Sequence, residues 1–132
     1  MNASRQDLRK RTKEFALRII KLYAALPKST EAQVIGKQLL RSGTSVGAQY
    51  REACRAKSNA DFISKIEGAL QELDETLYWI ELLAEAKIIT PTRLEPLERE
   101  THELIAMFVS MAKGVKQKRA GVVIPHPSAL IP

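Results

Sequence analysis

Apolar residues recur along this chain at spacings of three and four, with no useful run of strand-like alternation, so the pattern predicts helices and no sheet. A first helix is predicted over residues 5–26, with Leu8, Thr12, Phe15, Ile19, Leu22 and Leu26 on one stripe and Pro27 ending it. A second, over residues 30–56, opens on a Thr30–Gln33 capping box. Its inward stripe is Ala32, Ile35, Leu39, Ser42 or Gly43, Val46, Tyr50 and Ala53. A third runs over residues 58–86 from a Ser58–Asp61 cap, with Phe62, Ile66, Leu70, Leu73, Leu77, Ile80 and Ala84 facing inward. A fourth, over residues 92–119, carries Leu94, Leu97, Thr101, Leu104, Phe108, Met111 and Val115, and Pro96 loosens its first turn.

Short connections between four such patterns imply an all-α, antiparallel up-down-up-down four-helix bundle over residues 1–119. Residues 120–132, with three prolines and no formal charge, read as a C-terminal arm, either extended or docked on a neighbouring subunit.

Two stretches break the simple pattern. The third helix bears a second apolar face, Tyr78, Trp79, Leu82 and Leu83. One core cannot bury every side of a helix, so these four are the expected oligomer interface. Residues 38–52 of the second helix are rich in poor helix formers: Gly43, Thr44, Ser45 and Gly47 cost up to about 1 kcal/mol each. A helix that keeps such residues gains either close backbone packing or a site.

Composition narrows the setting. A chain of 132 residues fits one domain with a real core. Nothing approaches a membrane span, the N-terminal stretch lacks an apolar signal core, and the lone Cys54 fits a reducing cytoplasm. The net charge of +6 is uneven. Residues 1–28 carry +6, residues 29–57 carry +3, residues 58–89 carry −5 and residues 90–119 carry +2. Such asymmetry suggests nucleic-acid contact, association between unlike faces, or both. The basic groups Arg9, Lys10, Arg11 and Lys13 are either a solvated face or a phosphate-contacting patch. Lys113, Lys116, Lys118 and Arg119 are either a stabilised helix end or a second patch.

Catalytic motifs fit poorly. Gly43–Gly47 matches G-x-S-x-G around Ser45, and acids and His102 follow in hydrolase order. The nucleophile elbow requires a strand, a sharp turn and a helix, whereas this match lies inside a helix. A di-iron bundle needs a glutamate three residues before each histidine; Arg99 and Val123 stand there instead. No catalytic residue, metal site or cofactor is therefore assigned.

Residues 38–52 also carry a resemblance. They resemble the helix-2 signature Q-L-x-R-[SA]-x-x-S-V-x-x-N-I-x-E-G of the 23S rRNA intervening-sequence proteins. Gln38, Leu39, Arg41, Ser42, Ser45, Val46, Gly47, Ala48 and Glu52 fit it, and Phe62-Ile63, Ala69-Leu70, Glu72-Leu73 and Glu75-Thr76 fit the family's third helix. Gln49 replaces the usual asparagine, and Ala53, in place of the usual glycine, lets the helix run on. The resemblance spans roughly residues 15–111. It implies a cytosolic bacterial protein, a ring-like homopentamer of bundles and no established enzymatic activity. It also implies partners among structured RNA, ribosome-related complexes or reverse transcriptases.

The combined expectation is a non-enzymatic oligomer that binds structured RNA or an RNA–protein complex through Arg9, Lys10, Arg11, Lys13, Arg41, Arg51 and Arg55. Arg41 is equally read as a structural lock to Glu52 or to an acid of the third helix. Ser42, Gly43, Ser45, Gly47, Gln49 and Glu52 are read as the close-packing and polar-fastener motif. The alternative is a homo-oligomeric protein-interaction scaffold without direct nucleic-acid binding.

Overall fold

The structure, a computed structural model, describes residues 2–119, with side chains for residues 7–118; the arm expected over residues 120–132 lies outside the described residues. Four helices follow in order: α1 (Asn2–Ala24), α2 (Thr30–Cys54), α3 (Asn59–Glu85) and α4 (Pro91–Arg119). α1 packs along α2, α2 along α3 and α3 along α4, while α4 meets α1 at only a few points. The starts of α1 and α3 therefore share one end of the bundle with the finishes of α2 and α4.

The boundaries have local causes. α1 ends at Ala24, ahead of Pro27. The α2 N-cap is Ser29 rather than Thr30: its Oγ accepts the Ala32 N–H at 3.4 Å. Gln33 does not complete a capping box. Its amide donates instead to the Pro27 carbonyl at 2.8 Å and accepts from the Tyr23 hydroxyl at 3.1 Å, tying the turn to α1. α2 ends at Cys54, one residue past buried Ala53 and two short of the expected end. Ser58 caps α3 as expected, accepting the Asp61 N–H at 3.1 Å, while Asp61 accepts the Lys57 N–H.

α3 closes in a Schellman turn, in which the Lys87 N–H donates to the Ala84 carbonyl and the Ile88 N–H to the Leu83 carbonyl. Lys87 there adopts φ 59°, a left-handed conformation that a side chain disfavours. Pro91 opens α4 at the first helical position, where a missing N–H costs nothing.

The core is built from Leu8, Phe15, Ile19, Leu39, Val46, Tyr50, Ile66, Leu73, Ile80, Leu104 and Phe108, with the Tyr50 and Phe108 rings 5.6 Å apart. On α3 the fully inward line differs from the expected one. Ile63, Ala69, Thr76 and Leu83 are buried beside Ile66, Leu73 and Ile80, while Phe62, Leu70, Leu77 and Ala84 lie on the half-buried flank. Gly36 replaces Ile35 on the α2 stripe, and Ala112 replaces Met111 and Val115 on α4.

α2 approaches α1 through its glycines. A Cβ on Gly43 would lie 2.7 Å from Ile19 Cγ1, and one on Gly36 would lie 2.5 Å from Leu26 Cδ1. Gly47 is looser, with Thr12 Oγ1 at 3.2 Å. The poor helix formers at Gly43 and Gly47 thus face α1, where the absent side chain lets buried Ile19 and Thr12 come close.

Candidate nucleic-acid interface

Of the seven cations expected to meet phosphate, two are committed to carboxylates. The Arg11 guanidinium grips Glu100 with two bonds, Nε to Oε2 at 2.7 Å and Nη2 to Oε1 at 2.6 Å. It also reaches Glu103 at 2.6 Å and Met107 Sδ at 3.4 Å, closing part of the α1–α4 seam. The two carboxylates, Glu100 foremost and then Glu103, raise the Arg11 pKa above its ordinary value. Arg41 donates from α2 to Glu75 and, at 3.2 Å, to Glu72 of α3, and its pKa is likewise raised, chiefly by the Glu75 bond. Arg41 is thus the interhelical lock, and its partners are the α3 acids rather than Glu52. Glu52 pairs with Lys65 at 2.9 Å and raises the pKa of that lysine.

The other five remain available. Arg9 is half-buried, Lys10, Lys13, Arg51 and Arg55 are exposed, and none forms an ion pair among the described residues. Antiparallel packing brings them together. Gly47 sits against Thr12, so the following turn of α2, with Arg51, lies level with Arg9, and Arg55 lies beyond it toward the bundle end. Two further sources of charge share that end. Lys57, in the α2–α3 turn, was not among the expected site residues. Lys113 and Lys118, on the last turns of α4, belong to what the sequence presents as a separate patch. Chain order alone shows that the two patches converge. Lys116 is engaged there by Glu67 at 2.6 Å.

The fastener motif divides between two neighbours. Ser42 is fully buried, 2.8 Å from the Thr76 hydroxyl of α3. Gln49 lies against Gly68, where an added Cβ would be 2.9 Å from Gln49 Oε1. Gly43 and Gly47 face α1. Ser45 donates its hydroxyl to the Arg41 carbonyl at 2.7 Å, within an unbroken helix, so the elbow geometry of a hydrolase is absent at this serine. Among the described residues no group of three potential ligands is placed to hold a metal ion, and no helix is long and apolar enough to cross a membrane.

The four residues expected at an oligomer face differ in exposure. Leu83 is fully buried in the protomer core, because α3 turns that flank toward its neighbours; it offers nothing to a partner. Tyr78 is exposed, edge-on to half-buried Trp79 with ring centroids 5.0 Å apart, and Leu82 is half-buried. The Trp79 indole N–H is buried and has no hydrogen-bond partner among the described residues. Val34 of α2 is 58% exposed. The register set by the Ser42–Thr76 and Arg41–Glu75 pairs brings it level with Leu82. An inward-only reading of α2 missed it.

The sequence model of the 23S rRNA-intervening sequence protein family matches residues 5–110. A crystal structure of a protein of unknown function from the S23 ribosomal protein family of Bacteroides thetaiotaomicron VPI-5482 is similar over 83% of this chain and 97% of its own, at 41% identity and a TM-score of 0.77. Among curated proteins none matches significantly.

Proposed function

The chain belongs to the 23S rRNA-intervening sequence protein family, and on that premise we propose that it is a non-enzymatic, self-associating bundle that binds structured RNA at its basic end. The observation that carries this reading is the convergence of unpaired cations: Lys10, Lys13, Arg51, Arg55 and Lys57 are exposed at one end, without ion-pair partners among the described residues. Each phosphate neutralised there releases counterions, so affinity falls steeply with salt. Phosphate contact of this kind reads shape and charge rather than base sequence. The exposed Val34 and Tyr78, with half-buried Leu82 beside them, support association between copies, and a closed homopentamer in the cytoplasm is the form we propose for it.

The test is RNA retention measured against salt. A structured RNA should bind with log K falling linearly in log salt. Replacing Lys10, Lys13, Arg51 and Arg55 by glutamine should flatten that slope and abolish binding at physiological salt. Binding indifferent to ionic strength, or none, would overturn the proposal in favour of a protein-interaction scaffold. That second reading draws on Leu17 and Ile20, which are 56% and 46% exposed on α1. The self-association arm is separate: Tyr78→Glu should lower the sedimenting mass, and a wild-type monomer at high concentration would overturn it.

A further inference from the structure

Towards the other end of the bundle from the basic patch, α1 and α4 part to leave an open cleft of about 390 Å³. That volume is within the range of small-molecule sites, about 300–1,000 Å³. Its floor is apolar: Leu94 and Leu97 are buried beneath it, and Leu22 forms one wall. Its rim is cationic, with Arg18 and Lys21 on α1 and Arg93 on α4. Among the described residues no carboxylate lines it. None of the three cations forms an ion pair among the described residues; Glu95 pairs with Arg99 and Glu100 with Arg11, while Glu14, one turn before Arg18, and Glu98, beside Leu97, do not line the cleft.

The charge there is unresolved in a second sense. Arg93 stands in the first turn of α4, where backbone N–H groups already present positive charge, and no acid occupies that turn to offset it. Three cations around an apolar cleft would repel one another less, and the apolar walls at Leu22 and Ala25 would lose their contact with water, if one molecule supplied both an anionic head and an apolar body. A bare phosphate would leave Leu22 and Ala25 wet; a neutral hydrocarbon would leave the cations unpaired.

We propose that the α1–α4 cleft binds an organic anion with a single apolar chain, its carboxylate held by Arg18, Lys21 and Arg93 and its chain lying over Leu22, Leu94 and Leu97. Guanidinium groups suit the head because they present a fork of donors to a carboxylate. This assignment does not depend on RNA binding, which engages the opposite end.

The experiment is calorimetric titration of the full chain with decanoate, decanol and inorganic phosphate in separate arms. Decanoate should bind saturably, one per protomer, with decanol and phosphate at least tenfold weaker. The Arg18→Gln/Arg93→Gln double variant should lose at least tenfold in decanoate affinity while keeping its helical circular dichroism. Lys10→Gln/Lys13→Gln, at the basic end, should leave decanoate affinity unchanged. The proposal is overturned if decanol or phosphate binds as tightly as decanoate, or if the double variant binds it undiminished. Non-saturating uptake also overturns it. So does an absence of decanoate binding combined with loss of RNA retention in the double variant, which would assign these cations to a phosphate backbone.

Discussion

The Thr76 hydroxyl of α3 lies 2.8 Å from the Ser42 hydroxyl of α2, and both side chains are fully buried. Each hydroxyl has one proton. Carbonyls stand close by, Glu72 O at 2.7 Å from Thr76 and Leu39 O at 3.4 Å from Ser42, so one hydroxyl bonds the other while the second bonds backbone. The 2.8 Å contact is the shorter of the two that Ser42 makes, so the bonding of each hydroxyl depends on the other.

That mutual dependence has a measurable form. Thr76→Val or Ser42→Ala alone should cost about 1–2 kcal/mol, because a buried polar group loses its best partner. The double variant should cost clearly less than the two singles together, since neither hydroxyl then remains to be satisfied. Urea unfolding of the four proteins checks this; strict additivity would show that the hydroxyls act independently.

Arg11 makes a fork-shaped contact that lysine cannot copy. Arg11→Lys keeps the charge but loses the two-bond grip on Glu100, whose side chain is only 15% exposed. The expected loss is about 1 kcal/mol of unfolding free energy, read from denaturant midpoints. If charge alone held the seam, the lysine variant would match the wild type.

The glycines should respond in opposite directions. Gly43→Ala drives a methyl into the branch of fully buried Ile19. An overpacking cost of about 1–3 kcal/mol exceeds the gain of about 1 kcal/mol in helix propensity, so the variant should be less stable. Gly114, on α4, has nothing among the described residues within 4 Å of an added Cβ, and Gly114→Ala should stabilise by about 0.5–1 kcal/mol. Thermal midpoints should move down for the first and up for the second.

Lys87→Gly should also stabilise, by roughly 0.5–1 kcal/mol, since glycine adopts φ 59° without steric penalty. A lowered midpoint would mean that the lysine side chain contributes more than its backbone costs.

Much of the fold was legible because each helix carries its own punctuation. Pro27, Ser58 and Pro91 act within a turn or two of where they stand, and local rules suffice for them. The α3 core line was less legible. α3 is flanked by α2 on one side and α4 on the other, so apolar residues occur on both flanks and no single stripe is privileged. Ser42 on α2 supplies the partner that draws polar Thr76 inside and leaves Leu77 on the flank, and no spacing rule within α3 contains that fact. The same limit governs the basic residues. Arg41 meets acids 31 and 34 positions away, and Arg11 meets one 89 positions away. Sequence could name the cations, but which ones stay free depends on neighbours brought by the fold. The convergence of Arg55 and Lys113 needed only the antiparallel order.

The two sides of α1 are held by unlike means. Along α2 it nests against glycines; along α4 it meets few residues beyond the Arg11 clamp. α2 and α3 are flanked by helices on both sides, so they form the part that opens last. α1 and α4 are the two walls that share the thin seam. Their amides are expected to exchange with solvent before those of α2 and α3, and if α1 swings out, Phe15 and Ile19 come to the surface beside an emptied glycine groove. A second copy swung open in the same way would present a matching helix and a matching groove, so the thin seam gives this bundle a route to trading its first helix between chains.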